Sequence, residues 1–255
     1  LFHNLRTFFM LTNRSVLLPS PFYQFLHYLR LLEFAMCLLL TDIRDIWDDN
    51  IPLKHIFHFA QIFWRFSADA STKTGVMASF IVILVLFFIL QITILGIFIN
   101  FIRTSVITQT ASFVVCFFQE IIFQLLFSWV SSQMATVISL VATDSSFRGG
   151  FEYAQIVIYF LLFVYFFFFS FHFSNNDVPY MNGRSITWSY KTQRVYIFST
   201  IINLFLTRLI EMLPKIPSTI FSVILVLYLI GYSIYLIILL PFINLKSNTY
   251  HISCS

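Results

Sequence analysis

The stretch VMASFIVILVLFFILQITILGIFINFI, residues 76–102, decides the fold. Its strongly polar members are Gln91 and Asn100, and it exceeds the roughly 20 apolar residues that carry a helix across the hydrocarbon core of a bilayer. In lipid an unpaired backbone amide costs several kcal/mol, so such a stretch must close its hydrogen bonds within itself as an α-helix. Working outward, residues 151–173 repeat the pattern around the run Phe166 to Phe169, and residues 219–240 repeat it again up to Pro241. Two further spans carry more polar side chains: 106–130 with Gln109, Gln119, Glu120 and Gln124, and 195–213 with Arg208 and Glu211. Between the last two, Pro214-Lys215-Ile216-Pro217 forces a tight reversal, since proline ends one helix and suits the first turn of the next. These two helices are therefore expected as an antiparallel hairpin.

Composition agrees with lipid as the solvent. Of the residues, 59% are hydrophobic and 10% charged, and the mean hydropathy is +0.86. A water-facing surface draws on about 25% charged residues. Phe contributes 34 residues against 6 Gly, more rings than a soluble core absorbs. The formal charge of +4 is spread singly along the chain and not in a stripe, which argues against a nucleic-acid partner and for anionic headgroups. Cys37, Cys116 and Cys254 have neither metal-ligand spacing nor an evident pairing. Lys and Arg fall almost equally in alternate loops, so the positive-inside rule assigns no orientation. No cleavable signal is recognisable after Leu1, and the chain stops soon after its last apolar stretch, which leads us to expect a piece of a longer protein.

The first 75 residues read differently from the rest. Residues 22–40 are apolar but interrupted by His27, Arg30 and Glu33, so they form either a sixth span or a helix in the interface. An acidic stretch with Asp42, Asp45, Asp48 and Asp49 follows. In residues 51–66, Ile56, Phe59, Phe63 and Phe66 share one helical face, with Lys54, His58, Gln61 and Arg65 opposite. Such a helix lies flat on a membrane with its basic groups toward headgroups. The expected fold is thus all-α: a polytopic transmembrane bundle of five to six spans, five of them in residues 76–242 and the sixth at 22–40 if that stretch crosses, with an N-terminal interfacial amphipathic helix in 1–75 and a short polar tail in 243–255. A small hairpin around Asn182-Gly183 is expected in the loop 174–194.

Polar residues inside the spans are the candidates for function. Glu120, Gln124 and Ser128 recur every fourth residue, and Ser131, Ala135, Ser139 and Thr143 continue at close to that spacing along one face of a continuous helix. Small residues so placed let a second helix approach closely, and Ser and Gln hydrogen-bond across the contact, so a helix–helix seam is the leading reading. The sharper reading makes Glu120 an ion- or proton-handling carboxylate. Arg208 and Glu211, three apart, form an ion pair near a helix end, where long side chains reach headgroups. Arg30 and Glu33 echo that spacing without further self-similarity. His55 and His58 fall short of the three converging ligands a metal needs. Asn13-Arg14-Ser15 has the form of a glycosylation acceptor. No phosphate loop, dinucleotide turn, nucleophile elbow or paired acids occur, so no catalytic, cofactor-binding or metal residue is assigned.

The order of features carries a resemblance. A Phe-rich amphipathic segment ending Phe63-Trp64-Arg65-Phe66-Ser67-Ala68-Asp69-Ala70-Ser71 precedes the long span, and the polar-striped helix follows it. A Phe-rich span then ends Phe171-His172-Phe173-Ser174-Asn175-Asn176-Asp177-Val178-Pro179-Tyr180-Met181-Asn182, ahead of the Pro-bounded hairpin. Over residues 51–242 this resembles the multi-pass membrane regions upstream of the catalytic domain in large nucleotide cyclase-like proteins of parabasalid protists. The resemblance implies a membrane-embedded sensory or anchoring module, with a cyclase domain further along the chain. No residue matches the metal-binding aspartates or base-reading residues of such a domain. The alternative from the residues alone is a channel or transporter subunit using Glu120 and Gln124, and an organelle-encoded respiratory subunit ranks last. The expected partners are the bilayer and other transmembrane helices, a second copy of the chain among them.

Overall fold

The computed structural model describes residues 2–15, 72–172 and 190–239. These form seven α-helices and, among the described residues, no strand: α1 (Phe2–Ser15), α2 (Lys73–Thr104), α3 (Gln109–Phe117), α4 (Phe123–Thr143), α5 (Gly150–His172), α6 (Tyr190–Met212) and α7 (Lys215–Leu239). The expected interfacial helix at 51–66 with Lys54, His58, Gln61 and Arg65, the stretch 22–40, and the Asn182-Gly183 turn lie outside the described residues.

Local chemistry sets the boundaries. Thr72 accepts from the Gly75 backbone N–H at 3.1 Å and opens α2, and Thr108 accepts from Ala111 at 3.2 Å and opens α3. Between them Ser105 turns left-handed at φ 54° while its N–H still closes on the Phe101 carbonyl, which ends α2. The expected span 106–130 is displaced. Its helix begins at Gln109 and runs on as α3, a π-helical turn (Phe118–Ile122) and α4 to Thr143, and the part long and apolar enough to cross a membrane is Phe123–Thr143. The same property holds for Lys73–Thr104, Gly150–Phe169 and Lys215–Tyr235, four helices in all among the described residues.

Ring contacts fix the packing. Phe123 meets Phe166 at 4.8 Å and Phe127 meets Phe163 at 5.2 Å, so α4 and α5 run antiparallel. Phe80 meets Tyr159 at 5.3 Å and Phe87 meets Tyr165 at 5.3 Å, so α2 runs parallel to α5. α6 lies parallel to α4, with Ser131 against Ile201 and Thr136 against Arg208, and α7 returns antiparallel along α6. α1 docks against α3 and the far ends of α2 and α5, where Phe8 meets Phe98 at 5.4 Å and Phe9 meets Phe169 at 5.2 Å.

Burial inverts the pattern of a soluble protein. Ile92, Leu227 and Ile238 are 68%, 64% and 73% exposed, while Ser131, Thr136, Ser139 and Asn203 are wholly buried. Polar side chains point inward and the aliphatic faces of α2, α5 and α7 point outward.

Candidate functional site

The polar interior has two parts, and the first lies between α4 and α6. Hydroxyls in an apolar helix bond back to the carbonyl one turn earlier when no water is at hand. Thr136 does so to Ser132 at 3.0 Å, Ser139 to Ala135 at 2.8 Å and Thr143 to Ser139 at 2.7 Å. Ser131 instead crosses to α6, donating to the Ile201 carbonyl at 3.2 Å. Ser128, Ser131, Ala135 and Ser139, singled out by their spacing, are all buried, and Gln124 at the start of α4 is half-buried. The Glu120 side chain lies outside the described residues, although its backbone belongs to the π-helical turn. That turn closes its bonds over five residues, so α-helical spacing does not carry the line from Glu120 through to Ser128.

Arg208 stands at the end of this interface. Its Nη1 donates to Glu211 Oε2 at 2.9 Å, and its Nε donates to Thr136 Oγ1 on α4 at 2.9 Å. Both side chains are nearly covered, at 10% and 13% exposed. The guanidinium therefore turns inward onto α4, where sequence reasoning placed the pair toward headgroups. Thr136 supplies the reason: its hydroxyl gives its proton to Ser132 and keeps a lone pair for Arg208.

The second part lies between α2 and α5 and was missed. Glu152, Gln155 and Tyr159 follow at i, i+3 and i+7 on one face of α5, and they are 8%, 1% and 0% exposed. Glu152 lies 3.7 Å from the Lys73 ammonium, which also sits 5.5 Å over the Phe147 ring. A Cβ at Gly149 would meet the Glu152 carboxylate, the movable end of a flexible side chain, so the carboxylate folds close over the helix start where glycine leaves room for it. Neither amide atom of Gln155 nor the hydroxyl of Tyr159 has a hydrogen-bond partner among the described residues. Nearer the other end, Tyr165 donates to Gln91 Oε1 on α2 at 2.8 Å. The signal was present in the sequence: three polar residues at helical spacing in an apolar span. Asn203 and Thr207 on α6 repeat it, both wholly buried, with Thr207 donating to the Asn203 carbonyl at 2.8 Å.

Lys73, Arg148, Glu152, Arg208 and Glu211 all gather at one end of the bundle, because α4 and α6 end there and α2, α5 and α7 begin there. In the α4–α5 turn, Arg148 donates to the Val141 carbonyl at 3.1 Å and the Ala142 carbonyl at 3.3 Å, covering groups left open at the helix C-terminus. The Asp144 carboxylate accepts from the Ser146 backbone N–H at 2.8 Å, and this bond holds its pKa below the ordinary 3.8. Among the described residues no three His, Cys, Asp or Glu side chains converge as metal ligands. No family model, no curated protein and no solved structure matches the chain, so nothing in these comparisons identifies it as a cyclase-associated membrane segment.

Proposed function

We propose that this chain is a multi-pass membrane module that anchors, or senses for, a larger signalling protein of the nucleotide-cyclase-like type. In this reading α2, α3–α4, α5, α6 and α7 cross the bilayer in an up-and-down bundle. The inverted burial is the observation that carries the membrane part: aliphatic side chains cover the outside and Ser131, Thr136 and Asn203 the inside. α6 is the most polar of the five, and its place against α4 and α7 keeps Asn203, Thr207 and Arg208 away from lipid, which is what lets such a helix cross. The signalling part rests on the resemblance over residues 51–242. Hydroxyls of α4 bonded back to their own helix favour a closed seam there over a conducting path.

The test is cysteine scanning in isolated membranes. Reagents that partition into lipid should label cysteines at Ile92 and Leu227, and cysteines at Ser131 and Asn203 should resist both these and water-soluble reagents. A chain that stays monomeric and folded in buffer without detergent overturns the reading. A transport reading has one observation in its favour, the buried amide of Asn203, which has no hydrogen-bond partner among the described residues. Cation flux into proteoliposomes that falls in Asn203→Ala would move the assignment to a channel or transporter.

A further inference from the structure

We propose that the outward face of α2 is the docking surface for residues 22–40 of the same chain, which cross the bilayer antiparallel to it. The inference rests on the membrane reading above and is independent of any signalling role.

Where the chain leaves the bundle and where it rejoins carry the argument. α1 ends at Ser15 and packs on the far end of α2, with Phe8 5.4 Å from Phe98 and 5.5 Å from Phe101. The chain rejoins at Thr72, which caps the first turn of α2. At 1.5 Å per residue Phe98 lies about 39 Å along the helix axis from Thr72, more than the roughly 30 Å of a hydrocarbon core. A helix that crosses has its ends on opposite sides, so the chain between Ser15 and Thr72 must cross an odd number of times. Residues 22–40 are the apolar run there with the length for it, about 28 Å as a helix. Residues 51–66 are shorter and carry Lys54, His58 and Arg65. The link 16–21 reaches at most about 20 Å, so the crossing starts beside α1.

Side-chain chemistry selects α2 among the neighbours of α1. Its outward side is aliphatic through Val82, Val85 and Ile89 but changes toward α1, where Gly96, Asn100 and Arg103 follow at i, i+4 and i+7 and are all exposed. At that end α5 turns Phe167 and Phe168 outward, and α3 turns Phe113 outward. In lipid, small residues admit a second helix and polar ones bond across the contact, as α4 does against α6. Among the described residues nothing lies within 4 Å of a Cβ built at Gly96. In residues 22–40, His27, Arg30 and Glu33 recur every third place and share one side of a helix, a side too polar for bare lipid. For a chain entering from α1, His27 and Arg30 fall in the half of the membrane that holds Gly96 and Asn100. Arg30 and Glu33 have the i,i+3 spacing at which Arg208 and Glu211 pair at 2.9 Å.

The experiment uses the full chain in sealed vesicles of one orientation, with Cys37, Cys116 and Cys254 replaced by Ala and a membrane-impermeant maleimide added outside. Lys73→Cys and Thr104→Cys should label from opposite sides, Asn4→Cys from the side of Thr104→Cys, and Asp48→Cys from the side of Lys73→Cys. If Lys73→Cys and Thr104→Cys share a side, the membrane reading falls and this proposal with it. If those two differ while Asn4→Cys and Asp48→Cys share a side, this proposal falls alone. Docking is read by copper oxidation: Asn100→Cys should close a disulfide within one chain with cysteines placed in residues 24–31, recurring every three to four positions. A disulfide between two chains would make a second copy the occupant, and either that or no disulfide would overturn the proposal. Two exposed glycines give the energetic test, since neither Gly96 nor Gly231 has an atom within 4 Å of a built Cβ. Gly96→Leu should lower the melting temperature by about 5 °C by overpacking the contact, and Gly231→Leu on α7 should not lower it. Equal shifts at the two would overturn the docking.

Discussion

α4 and α7 are both apolar enough to cross a membrane, yet they occupy opposite situations. In the most apolar 18 residues of each, 72% of α4 is buried inside the protein and only 11% of α7. α4 carries Ser128, Ser131, Ser132, Ala135, Thr136 and Ser139, and α7 carries runs such as Val223 to Leu227 and Ile237 to Leu239. In water the greasier helix would be the inner one. In lipid an aliphatic side chain gains little by leaving the solvent, so small and hydroxyl-bearing residues decide which helix is surrounded by others. The difference teaches that hydropathy finds the helices here, whereas the arrangement of their polar minority orders them.

That contrast can be broken most sharply by removing bulk. Phe127 on α4 is 1% exposed and packs against Phe163 and Phe166, so Phe127→Ala should cost about 3–5 kcal/mol in reversible unfolding from mixed micelles. Leu227→Ala on α7 should leave the same transition within about 0.5 kcal/mol. Equal losses would mean that α7 has a partner on its outer face. The next effect is electrostatic. Arg208→Ala removes both the Glu211 and the Thr136 contacts and should cost about 3 kcal/mol, the lower end for a broken buried pair, because Glu211 sits one turn from open water. Arg208→Lys should recover only part of this, since an ammonium does not reproduce the fork that reaches both partners.

Overpacking probes the closeness of the seam itself. Ala135 is wholly buried on the side of α4 that faces α6, and Ala135→Phe should destabilise by about 1–3 kcal/mol. The hydrogen bond from Ser131 across the seam is worth less. Ser131→Ala should cost about 0.6 kcal/mol, the average for such bonds between membrane helices, read by the same unfolding measurement. The smallest effect belongs to the turn beyond α4. Because the folded Asp144 carboxyl is more acidic than its ordinary 3.8, its contribution is complete above that pH and is lost as pH falls through the lowered value. Asp144→Asn keeps an acceptor for Ser146 but no charge to titrate, so it should flatten that acid limb of the melting curve and slightly lower the melting temperature at neutral pH.

Several features could be read before any packing was known, and others could not. The runs at 76–102, 151–173 and 219–240 announce helices because no other backbone state satisfies its amides in hydrocarbon. The four-residue recurrence through Ser131, Ala135 and Ser139 marks a face, since helical geometry alone puts those residues together. The helix α1 was not anticipated. It is a single short amphipathic piece, and its Phe8 and Phe9 find their places only against Phe98, Phe101 and Phe169. The π-helical turn at Phe118–Ile122 was equally hidden, because a one-residue change of register leaves no mark in composition.

The amino acids of this chain determine by themselves that its long apolar segments coil, roughly where they do so, and which faces carry hydroxyls, since each is a matter of local bonding and fixed periodicity. Only the tertiary structure decides that α4 and α6 lie inside while α7 lies outside, that Arg208 turns toward Thr136, and that Lys73 meets Glu152 at one end. Those outcomes depend on which partners a side chain finds across distances the backbone does not encode. Two helices of like hydropathy therefore end in opposite surroundings.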